Sequence, residues 1–126
     1  MRRDVRSRAS DIRPICRGAR MIVFVIGPYR ADSAWEIEQN VRRAEEVALD
    51  VWRAGHVALC PHSMTRYYHD ALPDEVWLEG MRRLLGRCDG VILLGGYEAS
   101  KGSLLELGVA DEMGLPVWTR VGAIHD

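Results

Sequence analysis

MIVFVIGPYR, residues 21–30, reads as a strand running into a loop. Met21 to Gly27 is a continuous apolar run ending in glycine, the pattern of a strand buried on both faces of a sheet. Pro28-Tyr29-Arg30 opens the loop that follows. A strand of this kind needs helices on both sides, so the flanking sequence should supply them.

It does. Ser33-Ala34-Trp35-Glu36 reads as a capping box, with Ser at the N-cap and Glu at N3. The helix it opens is expected to run to about Ala54. Ile37, Val41, Ala44, Ala48 and Val51 recur at helical spacing, and Gly55 stops it. HVALCP (56–61) is a short second strand, and HSMTRYYHDAL (62–72) reads as a polar and aromatic loop. Pro73 and Asp74 start a second helix, to about Arg87, with Trp77, Met81, Leu84 and Cys88 on one face. DGVILLGG (89–96) is a third buried strand. YEASKG is a loop, Ser103 to Met113 a third helix, and LPVWTRV (115–121) a fourth strand. This alternation predicts an α/β fold with a parallel sheet covered on both faces. Ligands of such sheets bind beyond the carboxyl ends of the strands. Here those ends are Gly27 to Arg30, Cys60 to His69 and Gly95 to Ser103.

The whole chain sets bounds. At 126 residues it suits one domain. A net charge of −1 leaves no basic footprint for nucleic acid, and no apolar run approaches the length of a membrane span. Cys16, Cys60 and Cys88 are odd in number and widely spaced, so they form no disulfide framework and no CxxC metal pair; a reducing cytoplasm fits. Residues 1–20 carry seven Arg without helical or strand period. They read as a disordered leader or an early start codon, with a basic arm as the sharper alternative. Asp4 and Asp11 argue against a transit peptide. The folded domain is expected over 21–126.

Glu106 is the carboxylate that asks for an explanation. Ser103-x-x-Glu106 matches a capping box, so Glu106 could simply cap its own helix. The wheel points elsewhere: at about 100° per residue, Glu106 lies roughly 120–140° from Asp111 and Glu112 on the solvated face. It shares a stripe with Ala110 and Met113, in the first turn after a crevice loop. Residues 95–103 lead into that helix N-terminus, where free N–H groups and the dipole suit an anion. The order Lys-Gly-Ser is not that of a Walker A loop. Arg30 could fork onto a phosphate, and Tyr29 could stack on a base or sugar; each also fits a plain turn. Cys60-Pro61-His62 and His69-Asp70 have no partners for a metal site or a Cys–His nucleophile, although His62 could line a substrate. Asp89 opens its strand at the end away from the crevice and reads as structural.

Taken together, Gly-Pro-Tyr-Arg after the first strand, Cys-Pro-His after the second, Pro-Asp-Glu-Val-Trp-Leu opening a helix, Arg-Cys-Asp-Gly, and Ser-Lys-Gly-x-x-x-Glu-Leu-Gly resemble the nucleoside 2-deoxyribosyltransferase-like superfamily. The likeness covers about Met21 to Val117, and its nearest branch consists of small domains related to the 2-deoxynucleoside 5-prime-monophosphate N-glycosidase. The resemblance implies a flavodoxin-like, Rossmann-like three-layer sandwich with a four- to five-stranded parallel sheet. It implies a nucleoside or nucleotide as the small-molecule partner and assembly into homodimers or larger. No metal or organic cofactor is implied. It makes Glu106 the nucleophile or oxocarbenium stabiliser at the anomeric carbon. Arg30, Ser100, Gly102 and Ser103 would hold a phosphate, Tyr29 and His62 would line the sugar and base, and Gly27 would also bind substrate. There is one departure. Relatives often carry an Asp eight residues before the Asp of the third strand, thought to help protonate the leaving base, and here that position is Met81. Glu79 is no substitute, being about 200° around the helix from it and placed to pair with Arg83. A nucleotide-binding module that has lost its chemistry is therefore the alternative to an enzyme.

Overall fold

The computed structural model describes residues 20–124; the expectations for the Arg-rich leader and Cys16 lie outside them, Arg20 apart. Four strands, β1 (Ile22–Ile26), β2 (Val57–Leu59), β3 (Gly90–Leu93) and β4 (Val117–Trp118), form one sheet of order β2-β1-β3-β4. Every pairing is parallel. The described residues also form four α-helices and two 3-10 turns, the second of these at Val121–Ala123. The α-helices are α1 (Ala34–Arg53), α2 (Pro61–Thr65), α3 (Asp74–Leu85) and α4 (Lys101–Glu112), and a 3-10 turn at Tyr97–Ala99 precedes α4. This is the flavodoxin-like arrangement expected.

The period of two along β1 divides the core. Val23 and Val25 pack with Ala44, Ala48 and Val51 of α1, with Ile92, Trp118 and Ile124 completing that layer. Phe24 and Ile26 point the other way, onto Met81 and Leu85 of α3, Ala110 of α4, and Val91 and Leu93. These four of the five β1 side chains are fully buried, each worth about 1.5–3 kcal/mol of burial. That two-sided burial is why the run shows no alternation of polarity.

The ends of the elements differ in places from the sequence reading. Ser33 caps α1 as expected, its Oγ accepting from the Glu36 N–H at 3.1 Å. The loop after β2 instead contains α2, opened by Pro61 at a position that tolerates its missing N–H. His62 is therefore helical and buried. The largest correction concerns α4. Its N-cap is Ser100, whose side chain accepts from the Ser103 N–H at 3.2 Å. The Ser103–Glu106 capping box is thus not formed: Ser103 lies inside the first turn, and Glu106 is beyond reach of the cap.

Asp89 is structural, as read. Its Oδ2 accepts from the Ile22 N–H at 2.7 Å and its own N–H donates to the Ile22 carbonyl at 2.8 Å, tying the starts of β1 and β3. Beside it, a Cβ on Gly90 would stand 2.4 Å from the Trp118 ring and 3.1 Å from the Pro116 carbonyl. Neither a packed indole nor a strand backbone can yield that much. Gly90→Ala should lower unfolding free energy by about 2 kcal/mol or more. An unchanged midpoint in urea denaturation would show that β4 packs otherwise.

Candidate functional site

A cavity of about 460 Å³ opens at the carboxyl edge of the sheet, where β1 and β3 release their loops. Its size suits a small organic ligand. The loop after β1 contributes Gly27, Tyr29 and Arg30; α2 contributes Pro61, His62 and Thr65. The pocket face of α3 presents Asp74, Glu75, Trp77, Leu78 and Met81, and the start of α4 presents Ser100 to Ser103, Leu105 and Glu106. Every site residue expected from the sequence therefore lies on one wall or another of the same cavity.

The first loop is fixed from two sides. His62 has its Nε2 at 3.0 Å from the Gly27 carbonyl and 3.1 Å from that of Pro28, so Nε2 carries the proton and donates to both. Asn40 of α1 donates its Nδ2 to the Tyr29 carbonyl at 3.0 Å. These bonds satisfy three carbonyls that have left the sheet. Burial lowers the pKa of His62, which keeps the imidazole neutral and Nδ1 unprotonated. Nδ1 itself has no hydrogen-bond partner. Gly27 packs closely on its neighbour: a Cβ there would stand 3.0 Å from the Leu94 Cβ.

Tyr29 and Arg30 reach from this loop to the segment between α2 and α3. The Tyr29 hydroxyl bonds His69 Nδ1 at 2.7 Å, and its ring meets the His62 and His69 rings edge-on. His69 Nδ1 also lies 3.2 Å from the Arg66 carbonyl, and its Nε2 lies 3.2 Å from Asp70 Oδ2. Trp77 donates its indole N–H to the His69 carbonyl at 2.7 Å. Arg30 pairs with Asp70 at 3.1 Å and with Asp74 at 2.5 Å. Partial burial works against the guanidinium charge, but the hydrogen bonds to Asp70 and Asp74 outweigh it and raise the Arg30 pKa.

The opposite wall is α4. Ser100 is occupied in part by capping Ser103, and Leu104 N–H begins the helix ladder on the Ser100 carbonyl at 3.0 Å. The backbone N–H groups of Lys101 and Gly102 precede that ladder at the positive end of the helix. Gly102 has no packing reason to be glycine, since an added Cβ would meet nothing within 4 Å. Glycine in a helix costs about 1 kcal/mol against alanine, so open space over this turn fits close approach of a ligand. Ser103 is buried to 1% exposure and its Oγ has no partner.

Glu106 stands one turn further along. Burial alone raises its carboxyl from 4.5 to about 8. No Arg or Lys pairs with it among the described residues, so the group is protonated at neutral pH. A carboxyl desolvated in this way inside a cavity is a candidate functional group. Met81 also lines the cavity and is 8% exposed; a thioether has no proton to give. Glu79 pairs with Arg83 at 3.7 Å as expected and is not in the lining.

Sequence reading missed His69, Asp74, Glu75, Leu78 and Lys101 as pocket groups. The signal was available for α3: Asp74, Glu75, Leu78 and Met81 share a stripe at helical spacing, and the helix begins at the crevice edge. Cys60 is partly buried and desolvation raises its thiol pKa, which fits the reading that it is no nucleophile. Among the described residues, no group of three or more His, Cys, Asp or Glu is placed to hold a metal ion, and no helix is long and apolar enough to cross a membrane.

The fold and this cavity define a flavodoxin-like α/β domain with a cavity at its switch point. A family described as Domain of unknown function (DUF7768) matches residues 21–120, and the chain belongs to that family. No curated protein matches it.

Glu106 should be visible in the pH dependence of stability. Between pH 4.5 and about 8 the folded chain keeps a proton that the unfolded chain has released. Stability attributable to this group therefore falls as pH rises through that window. Glu106→Gln should match wild type at pH 4 and exceed it by at least about 2 kcal/mol at pH 9, at about 1.4 kcal/mol per pKa unit. A pH-independent difference in urea midpoints would remove the buried-acid assignment.

Proposed function

We propose that this domain cleaves or transfers the N-glycosidic bond of a nucleoside or nucleoside 5-prime monophosphate, with Glu106 acting at the anomeric carbon. The observation that carries this reading is the uncompensated, desolvated carboxyl of Glu106 on the wall of the cavity. Glycosidic cleavage passes through an oxocarbenium-like state that bears positive charge on the sugar. A carboxylate in a site withdrawn from water stabilises that charge far better than one in solvent. The developing cation in turn lowers the pKa of Glu106 and draws out its anionic form, as nucleophile or as electrostatic stabiliser. Tyr29 and Trp77 offer aromatic surfaces for a base. Ser103 and the first turn of α4 offer hydroxyl and N–H donors for sugar or phosphate oxygens.

A second reading has its own observation. Met81 on the pocket wall leaves the site without the proton donor that relatives often place there, which favours a nucleotide-binding domain without turnover. The exposed Leu72, Val76, Leu104 and Leu105 at the starts of α3 and α4 suit the homodimer that the resemblance implies, and a cytoplasmic setting suits the free thiols Cys60 and Cys88.

Chromatographic detection of free base from a panel of ribo- and deoxyribonucleosides and their monophosphates decides between the two. Wild type should release base at a rate that rises with pH toward a plateau above about 8. Glu106→Gln should lose at least about a hundredfold in rate while still binding the same compound. Full activity in Glu106→Gln would end the assignment. Binding without product in wild type would establish the second reading.

A further inference from the structure

The resemblance assigns Arg30 to a phosphate, but the geometry around Arg30 points to a different ligand. We propose that Asp70 and Asp74 make the site selective for an uncharged nucleoside over its 5-prime monophosphate, by neutralising Arg30 and placing negative charge where a phosphate would sit. This rests on the N-glycosidic or nucleotide-binding reading above and names the substrate class within it.

Both terminal nitrogens of Arg30 are engaged. NH1 lies 3.1 Å from Asp70 Oδ1 and NH2 lies 2.5 Å from Asp74 Oδ1. Asp70 is further held through its second oxygen by His69, at 3.2 Å, and His69 by Tyr29. The pairing is therefore one part of a network that joins the first loop to the start of α3, not a chance surface contact. Exposed ion pairs are individually weak, about 0–1 kcal/mol, so breaking them would not by itself exclude a phosphate. The charges that remain would. Asp74 and Glu75 both line the cavity, and Glu75 forms no hydrogen bond or ion pair among the described residues. A monophosphate carries about −1.5 to −2 near neutral pH, and it would face these carboxylates whether or not it displaced them from Arg30. Lys101, at the start of α4, is the only Lys or Arg of the lining besides Arg30. Ser100 accepts the Ser103 N–H through its Oγ, and the O–H it keeps can donate to a sugar hydroxyl as well as to a phosphate. An uncharged 5-prime hydroxyl meets no repulsion and can donate to Asp74, whose carboxylate accepts.

The test compares one nucleoside with its 5-prime monophosphate, chosen by base release or, if none is released, by calorimetric binding. Wild type should prefer the nucleoside by at least about tenfold in kcat/KM or in affinity, a difference of about 1.4 kcal/mol. Asp70→Asn with Asp74→Asn removes the charge but keeps the shape of two exposed side chains. This double variant should shift the preference toward the monophosphate by at least about tenfold, and Arg30→Ala added to it should abolish that shift. A wild type that prefers the monophosphate, or a double variant with unchanged preference, overturns the proposal. Base release from neither compound would defeat the enzymatic reading alone, because the ratio of affinities still decides charge selection. Binding of neither would overturn both.

Discussion

Everything at the site follows from how chain connections leave β1. The chain goes from β1 to β2 on one side of it, then crosses to β3 on the other. Loops at the carboxyl ends of β1 and β3 therefore diverge, and no helix can cover the gap between them. The backbone that enters this gap must still satisfy its carbonyls. Here His62 and Asn40 do so, for Gly27, Pro28 and Tyr29. The crevice is thus a consequence of topology, and its rigidity a consequence of hydrogen-bond satisfaction. Those bonds also fix where Tyr29 and Arg30 can reach.

A carboxyl placed on the wall of such a crevice loses water on one side and gains no counter-charge. Folding tolerates this because the group takes up a proton instead of remaining charged. Around it the cavity is divided. The α4 wall supplies a helix N-terminus, Gly102 and the unpartnered hydroxyl of Ser103, while the α3 wall supplies Trp77, Leu78 and Met81 against Asp74 and Glu75. One wall is suited to oxygen-rich groups and the other to a flat apolar body with a polar edge. The nucleoside proposed as ligand has both parts. Arg30 is ion-paired to Asp70 and Asp74, and what a guanidinium can bind depends on which carboxylates reach it.

Much of this was legible in the chain. The uniform apolar run of β1 predicted burial on both faces, and the α1 cap was visible as Ser33 and Glu36. The position of Glu106 off the solvated face was visible from the helical angle alone. The start of α4 was not, because two serines three residues apart, Ser100 and Ser103, compete for the cap, and local sequence does not say which one wins. The helix at Pro61–Thr65 was hidden by its length, too short to show a period. The contacts of Asp70 and Asp74 with Arg30 span 40 and 44 residues and exist only once β1 and α3 are placed side by side. Long-range electrostatics of this kind leave no local pattern to read.

The central claim is that Glu106 is a protonated, desolvated carboxyl at neutral pH. Carbon-13 NMR of the glutamate side-chain carboxyls, with Glu106→Gln to assign the resonance, measures its titration directly. The structure predicts a midpoint at about 8. A midpoint near 4.5, the ordinary value for the group, would mean that water reaches Glu106 freely and would contradict the account of the site.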